Sequence, residues 1–477
     1  MKPLYMKNKM YSFKFLSIGL LCFLFTFLEV QSQVYLSIDS AEAMALRNSK
    51  DVHIANQTYS KAVFEQHAAR TNYLPKVSAS ATGLYLKNNY EKDVYLPTMY
   101  PNPTTGELYP NIVINPQTSQ PVIGADGNPV FNMYAYLPLE ISLQGAYLAG
   151  LYIEQPIYAG GKIKAGNAMA NNGVQISKEN IALQRNKTIV EVHQAYWLCV
   201  AVQSKLLLAQ KHKDMLAVLL ERVKNSYSAG YLQYNEMLKV QVEYDKAVLD
   251  VQKAKNGLQL STMALCRIIG IDMYSSIQCN SSIPIETVVA LAGEESVQNR
   301  PEYSILLHKI AYEQEQLKMI RADYLPSIGL RAGYTYVGGV EINSQEYSNS
   351  NTQVMLSVQI PLFAWTQGKQ KLSSAIADIK IQELEFEKNT KLMMLELEQA
   401  KVQVTQSFSY IQIAENALVQ AQENLRVVTD KYEVGTMSLS DVLVAQTLWQ
   451  QSSASVIQAK IEYAMSVLQY KKLIGDM

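Results

Sequence analysis

The chain has 477 residues, of which 48% are hydrophobic and 18% charged, and its 42 basic and 42 acidic side chains leave no formal net charge. A chain of this length would ordinarily form two domains, and without a basic excess it gives no sign of binding nucleic acid. Three cysteines, Cys199, Cys266 and Cys279, follow the first 32 residues. An odd number makes no disulfide framework, and the two in helical sequence are interpreted as ordinary buried residues.

Residues 1–32 have the pattern of a signal peptide. A lysine-rich start precedes a short apolar run at residues 15–27, and cleavage is predicted before Gln33. The run is too short to span a membrane. A lipoprotein is less favoured, because Cys22 lies inside the apolar run. No later stretch has the length of an apolar membrane helix, so the exported chain is expected to be periplasmic, secreted or an outer-membrane β-structure.

The rest of the sequence contains one pattern twice. Four short segments recur, and three of the four pairs are separated by the same interval. The pairs are Tyr73-Leu74-Pro75 with Tyr324-Leu325-Pro326, Gln155-Pro156-Ile157-Tyr158 with Ile360-Pro361-Leu362-Phe363, Tyr227-Ser228-Ala229-Gly230 with Tyr432-Glu433-Val434-Gly435, and Arg267-Ile268-Ile269-Gly270 with Lys472-Leu473-Ile474-Gly475. Such a repeat indicates two structurally equivalent halves. We place the first at residues 33–270, a linker at 271–295 and the second at 296–477.

In chain order, each half is predicted to contain a helix, strand segments, a very long helix, a tight turn and a medium helix. Residues 162–283 and 362–477 contain no proline, and their Ala, Gln, Glu, Lys and Leu content is typical of long helices. The predicted helices are 39–73, 162–229, 232–269, 297–324, 369–434 and 438–474. The predicted strands are 76–85, 147–158, 327–336 and 353–363.

The long helix of the second half has the apolar spacing of a coiled coil. Its apolar residues recur at a mean interval of about 3.5, the heptad period, rather than the 3.6 of a straight helix. They are Val404, Phe408, Ile411, Ala414, Leu418, Ala421, Leu425, Val428 and Tyr432. The equivalent positions of the first half include Gln203 and Lys213, so that seam is less regular. Two half-length helices stacked end to end would match one long helix, which predicts a cylinder wall of long and paired short helices.

The strand segments favour a membrane β-barrel. Val354, Leu356 and Val358 alternate with polar side chains, and strands of about ten residues suit a bilayer. Four strands cannot close a barrel, which needs at least about eight, so other copies of the chain must cover the edges. The first two strands are predicted to form a hairpin. A long irregular loop at 90–134, with seven of the 15 prolines, caps the hairpin and is expected to face outside the cell.

Taken together, these segments resemble the TolC-like outer-membrane efflux proteins. The resemblance covers nearly all of residues 36–475. It rests on residues 36–49, the two Tyr-Leu-Pro helix ends, Ile360-Pro361-Leu362-Phe363 before Gly368-Lys369, and residues 432–443. It implies a trimer in which each chain gives four strands to a 12-stranded barrel and its helices to a periplasmic tunnel. It also implies two partners: a periplasmic adaptor and an inner-membrane pump, either proton-driven or of the ABC type.

The turns between the long and medium helices are the predicted helix tips. Gly230 and Gly435 follow the last seam positions, where a helix end favours a residue that tolerates positive φ. Because these tips lie at the far end of the long helices from the strands, we expect them to contact the adaptor. Leu232 and Met437 lie beside the glycines and are predicted to contribute to that contact.

Asp441 allows two interpretations. In the first turn of its helix, a carboxylate caps the helix and complements its dipole. The resemblance implies instead that Asp441 narrows the periplasmic entrance, as the first of the family's two aspartates. The second position is Val444 here, and the family's gate arginine is replaced by Met437. Tyr432 matches the gate tyrosine, and Glu236 occupies the acidic position in the first half.

Catalytic motifs are absent from the sequence. Its five histidines show no metal-ligand spacing, and Gly160-Gly161-Lys162 lacks most of a phosphate-binding loop. We therefore interpret the chain as an outer-membrane channel without enzyme activity or cofactor, which passively conducts cargo out of the cell. The alternative is a periplasmic or secreted coiled-coil scaffold without a pore, but that alternative leaves the amphipathic strands unexplained.

Overall fold

The computed structural model describes residues 34–87, 89–280, 294–363 and 365–477. The predicted signal peptide, and residues 281–293 of the predicted linker, lie outside the described residues. The chain divides into two compact units. Of the described residues, the helical unit comprises 34–63, 172–280, 294–311 and 379–477, and the sheet unit comprises those within 64–171 and 312–378.

The elements follow the predicted order in both halves. The first half contains β1 (Val34–Leu36), α1 (Ile38–Asn48), α2 (Lys50–Thr71), β2 (Lys76–Leu84), β3 (Tyr90–Pro97), β4 (Met99–Pro101), β5 (Leu108–Pro110), β6 (Tyr134–Ser142), β7 (Ala146–Ala159), α3 (Lys162–Ser228) and α4 (Tyr234–Ile269). After β8 (Ile277–Cys279) and a short 3₁₀ helix (Glu294–Asn299), the second half contains α5 (Pro301–Ala322), β9 (Ser327–Ile342), β10 (Gln345–Gln359), α6 (Gln367–Glu433) and α7 (Leu439–Leu473).

The predicted single helix at 39–73 is wrong, because the structure divides it into α1 and α2 at Ser49. This residue has an extended ψ of 121°, which interrupts the helical path. Its hydroxyl accepts a hydrogen bond from the Val52 N–H at 3.3 Å and so caps the start of α2. The predicted helix did not take into account that the Ser49 hydroxyl can accept the Val52 N–H, which has no partner within α2. The other five predicted helices are confirmed, with small differences at their ends.

The coiled-coil seam forms the core of the helical unit. All nine predicted seam positions of α6 are buried or half-buried. In α3, eight of the nine equivalent positions are buried or half-buried, and Tyr227 is exposed. Cys199, Cys266 and Cys279 are buried free thiols, as expected. Within the described residues, no helix combines the length and apolarity needed to cross a membrane.

The sheet unit contains a six-stranded antiparallel sheet. Strands β2, β7, β9 and β10 follow one another in that order, and β6, which pairs with β3, also pairs with the end of β9. The predicted hairpin of the first two long strands is confirmed, since β2 pairs with β7 from Lys76 opposite Glu154 to Leu84 opposite Ala146. Strand β9 pairs with β7 on one side and with β10 on the other. Within the described residues, β2 and β10 each have one strand neighbour, so each leaves one edge open.

Cross-strand register gives this sheet two distinct faces. Val77, Ile153, Ala332 and Val354 lie opposite one another in one row, and the adjacent row begins at Ser78. Because successive side chains point to opposite faces, the rows alternate between an apolar face and a polar face. The apolar face includes Val77, Leu151, Ile153, Leu330, Val354 and Leu356, all exposed in the single chain. The polar face includes Lys76, Ser78, Ser80, Glu154, Arg331, Gln353 and Ser357.

The predicted irregular loop at 90–134 is partly wrong, because it contains strands. Strand β3 pairs antiparallel with β6, and the short strands β4 and β5 pair with each other. Pro97, Pro101 and Pro110 are the last residues of β3, β4 and β5. Proline lacks an N–H to donate, and strand ends tolerate that loss. The prolines therefore end short strands in this segment rather than preventing them.

Candidate functional site

The two helix tips have the same backbone geometry. Gly230 and Gly435 adopt φ values of 80° and 77°, which a side chain would strain. In each turn the glycine N–H donates to the carbonyl three residues earlier, and the following N–H donates to the carbonyl five residues earlier. These bonds are Gly230 to Tyr227 at 2.9 Å, Tyr231 to Ser226 at 2.9 Å, Gly435 to Tyr432 at 3.0 Å and Thr436 to Lys431 at 2.9 Å. This Schellman arrangement ends both long helices at the predicted turns.

Asp441 belongs to a complete capping box. Its N–H donates to the Ser438 hydroxyl at 3.2 Å, and its carboxylate accepts from the Ser438 N–H at 3.0 Å. The Ser438 hydroxyl also donates to the carboxylate at 2.6 Å. These hydrogen bonds hold the pKa of Asp441 below its ordinary value. The carboxylate is exposed, so capping leaves it accessible to solvent.

The first tip lacks this cap. Gln233 occupies the cap position of α4, and its side chain makes no capping hydrogen bond. Glu236, three residues later, is in the first turn and forms an ion pair with Lys239 at 2.7 Å. The two tips therefore share their turn but differ at the start of the following helix. The sequence predicts this difference, because serine is a preferred cap residue and glutamine is not.

Side chains from both tips pack into one apolar cluster of the helical unit. The buried members come from α3, α4, α6 and α7: Leu216, Leu219, Leu220, Val223, Val240, Ala247, Val428, Leu439, Val442 and Ala445. Leu232 and Tyr432 are partly buried against this cluster. The structure thus brings the predicted tip residues of the two halves together. Met437 is half-buried in the second turn.

Tyr432 lies close enough to Glu236 to sense its charge. Burial raises the pKa of the Tyr432 hydroxyl above its ordinary value, and the nearby Glu236 carboxylate raises that pKa further. The hydroxyl therefore stays neutral and able to donate a hydrogen bond near neutral pH. A predicted acidic residue of the first half thus acts electrostatically on the predicted gate tyrosine of the second half.

Sequence reasoning missed an ion pair between the two long helices. The Arg222 guanidinium of α3 contacts the Glu433 carboxylate of α6. Both residues lie close to the tip turns, and their opposite charges are visible in the sequence. Their pairing cannot be read from the sequence, because the two residues are 211 positions apart. This ion pair links the two long helices of the two repeats.

Two grooves lie beside the tips, within the helical unit. A groove of about 580 Å³ is lined by Met215, Val218 and Arg222 of α3, Tyr432 of α6 and Trp449 of α7, among others. A second groove, of about 590 Å³, lies between α4 and α7, and its lining residues include Leu238, Val242, Lys239, Leu443 and Val444. Both grooves combine apolar side chains with a few charged ones, a lining that suits another helix or loop.

Comparison with known sequences identifies one family. The sequence model of the family described as outer membrane efflux protein matches residues 43–271 and 293–476, which is most of the chain. Outer membrane protein TolC of Vibrio cholerae is 22% identical over 340 residues, covering 69% of this chain and 76% of that protein. TolC of Escherichia coli K12 is 20% identical over 346 residues, covering 69% of each. Alkaline protease secretion protein AprF of Pseudomonas aeruginosa is 23% identical over 230 residues, covering 46% of this chain and 47% of that protein.

Solved structures share the fold at lower identity. The CmeC outer membrane channel of Campylobacter jejuni superposes with a TM-score of 0.68 and 16% identity, covering 92% of this chain and 85% of that chain. The outer membrane protein VceC of Vibrio cholerae gives 0.69 and 13%, covering 92% and 96%. The predicted fold class, mainly α with a β part and an internal duplication, is confirmed.

Proposed function

Because the chain belongs to the outer membrane efflux protein family and is located in the outer membrane, we propose that it is the exit duct of a tripartite efflux or secretion system. The observation that carries the proposal is the sheet with one apolar face, one polar face and two open edges. An apolar face suits lipid, and a polar face suits a water-filled interior. A coiled-coil scaffold without a pore would need no such sheet.

The open edges of β2 and β10 support assembly as a homotrimer. Unpaired backbone groups cannot remain in lipid, so another strand must cover each edge. If β2 of one copy pairs with β10 of the next, three copies close a barrel of 12 strands around the polar faces. The exposed apolar side chains of each chain then face outer-membrane lipid.

The grooves beside the helix tips support a periplasmic adaptor as the partner. When an adaptor occupies these grooves, it contacts four residues of the helix tips: Gly230, Gly435, Leu232 and Met437. Transport energy comes from an inner-membrane pump, either proton-driven or of the ABC type, because the duct itself conducts passively. No nucleic acid takes part.

The residues that control the periplasmic entrance in our proposal are Asp441, Tyr432 and Glu236. Three copies of Asp441 form a single ring of carboxylates, since Val444 supplies no second charge. Rings of carboxylates favour cations at a narrow pore mouth. The ion pair between Arg222 and Glu433 joins the long helices of the two repeats beside this entrance.

Reconstitution tests the proposal directly. The protein is purified in detergent, and the mass of the protein is measured in that detergent. The same preparation is then inserted into planar bilayers for current recordings. We expect a trimer and discrete single-channel currents. A monomer that keeps its full secondary structure, or a trimer that conducts no ions in any bilayer, contradicts the proposed duct.

A further inference from the structure

One row of the polar face carries an excess of positive charge. Lys76 of β2 lies opposite Glu154 of β7, which lies opposite Arg331 of β9, and Met355 of β10 completes the row. The Arg331 Nε atom is 3.4 Å from a Glu154 carboxylate oxygen. Within the described part of the chain, Lys76 has no carboxylate at ion-pair distance. We call Lys76, Glu154 and Arg331 the charged row, and it leaves one uncompensated cation per chain.

The Arg331 side chain is held in place by an aromatic ring. Its guanidinium carbon lies 4.3 Å from the centroid of the Tyr152 ring, within the range of a cation–π contact. Tyr152 is buried and lies across two glycines of the sheet. A Cβ atom would approach a ring carbon of Tyr152 to 2.8 Å at Gly150 and to 2.7 Å at Gly333. The absence of side chains at these glycines therefore lets the tyrosine lie flat and support the arginine.

A cavity of about 730 Å³ opens beside the charged row, within the sheet unit. Its lining includes the three residues of the row together with Ile163, Met319 and Met355. Lys162 also borders the cavity, but its ammonium is paired with Asp323 at 2.7 Å. The volume lies in the range of small-molecule sites, which reaches roughly 1,000 Å³. Cationic groups beside methionine and isoleucine suit a ligand with both an anionic and an apolar part.

We propose that the charged row and its cavity form a contact site for organic anions in which a carboxylate adjoins an apolar body. The proposal rests on the proposed duct, because the barrel turns the polar face of each chain toward the conduit. Three copies then place three uncompensated cations around the water-filled interior. Low-dielectric walls concentrate that potential and raise the local concentration of anions. The site lies on a different unit from the carboxylates of the helix tips.

Single-channel recordings in a salt gradient test the electrostatic part of this proposal. Arg331→Gln and Lys76→Gln each remove a positive charge from the row, so the zero-current potential is expected to shift toward greater cation preference. Glu154→Gln removes the negative charge and is expected to shift that potential the opposite way. Lys92→Gln is the matched control, because Lys92 is an exposed lysine of β3 that lies outside the row.

Block by amphipathic probes tests the binding part. Octanoate added to the bath is expected to reduce the wild-type current, and octylammonium at the same concentration to reduce it less. The stronger block by octanoate than by octylammonium should be lost in Arg331→Gln and Lys76→Gln channels and retained in Lys92→Gln channels. Equal block by the two probes in wild-type channels overturns the anion site.

The outcomes separate this inference from the proposed duct. Trimer yield is measured first for each variant, and Lys76→Gln removes a side chain without an ion-pair partner, so its folding is least affected. If the wild-type trimer conducts no ions, the proposed duct fails and this inference fails with it. If it conducts, and the row variants behave like Lys92→Gln, the inference alone is overturned. Shifts of the same sign in Glu154→Gln and Arg331→Gln also overturn it, because a charge effect must change sign.

Discussion

Arg222 of α3 and Glu433 of α6 form an ion pair that joins the last turns of the two long helices. Their side chains are 56% and 51% exposed. An ion pair this exposed contributes at most about 1 kcal/mol to the free energy of unfolding. Its importance lies in its position, because it links the two repeats beside Tyr432. It is also the contact that sequence reasoning did not find.

We predict that this ion pair limits opening at the helix tips. Arg222→Glu and Glu433→Arg each place like charges in contact, so each is expected to raise single-channel conductance. The double variant, in which the charges are exchanged, should return conductance toward the wild-type value. Arg426→Glu is the control, because Arg426 pairs with Glu423 and Asp430 on its own helix. If conductance rises in Arg426→Glu as much as in the ion-pair variants, the ion pair does not limit opening at the tips.

A second prediction concerns the missing cap of α4. Gln233→Ser creates a Ser-x-x-Glu sequence with Glu236, the pattern of a capping box. The serine hydroxyl can accept an N–H that Gln233 leaves without a side-chain partner. We expect a higher melting temperature, corresponding to about 1 kcal/mol per chain. Gln233→Ala is the matched control, and it should not raise the melting temperature. Equal melting temperatures for the two variants would show that no cap forms.

A third prediction concerns contact with the adaptor. Cysteines introduced at Leu232 or Met437 are expected to cross-link to the periplasmic adaptor in intact cells. The native thiols are buried and should give little background labelling. A cysteine at Tyr85, which is exposed in the sheet unit, is the control and should not cross-link to the adaptor. Efficient cross-linking from Tyr85 together with none from Leu232 would reverse the proposed orientation.

Most of the fold follows from local sequence signals, and the exceptions have physical causes. The long helices were predictable because proline is absent and apolar residues recur with a coiled-coil period over many turns. The break between α1 and α2 at Ser49 was not predictable, since it depends on a single serine hydroxyl that caps α2. Strand β3 was not predicted because a proline-rich segment follows it, although its own proline, Pro97, is its last residue. Local sequence rules predict the type of each helix or strand well. They do not predict at which residue the helix or strand ends.

The candidate site was predictable to a lesser degree. Gly230 and Gly435 were identified because a left-handed turn strongly favours glycine. The capping role of Asp441 followed from its position in the first helical turn. The proximity of Tyr432 to Glu236, and the pairing of Arg222 with Glu433, depend on how two distant helices pack. Such contacts are set by tertiary structure, and a single sequence contains no signal for them.

The last prediction separates the two roles of Asp441. Asp441→Asn removes the charge but keeps an oxygen that can accept the Ser438 N–H, so the melting temperature should change little. Cation selectivity should nevertheless fall, because three carboxylates leave the entrance. Ser438→Ala has the complementary effect: it removes the cap hydroxyl, costs about 1 kcal/mol per chain and leaves the charge in place. Its selectivity should therefore match that of the wild type.

The dependence on pH gives an independent check of the same carboxylate. Hydrogen bonds from Ser438 hold the pKa of Asp441 below its ordinary value. A depressed pKa means that the capping bonds contribute fully above the unfolded-state pKa and are lost as pH falls through the folded-state pKa. Cation selectivity should accordingly persist at neutral and mildly acidic pH and fall only in stronger acid. Asp441→Asn channels should lack this acid step. Unchanged neutral-pH selectivity in the Asn variant would restrict Asp441 to capping and leave Glu236 as the acidic residue of the entrance.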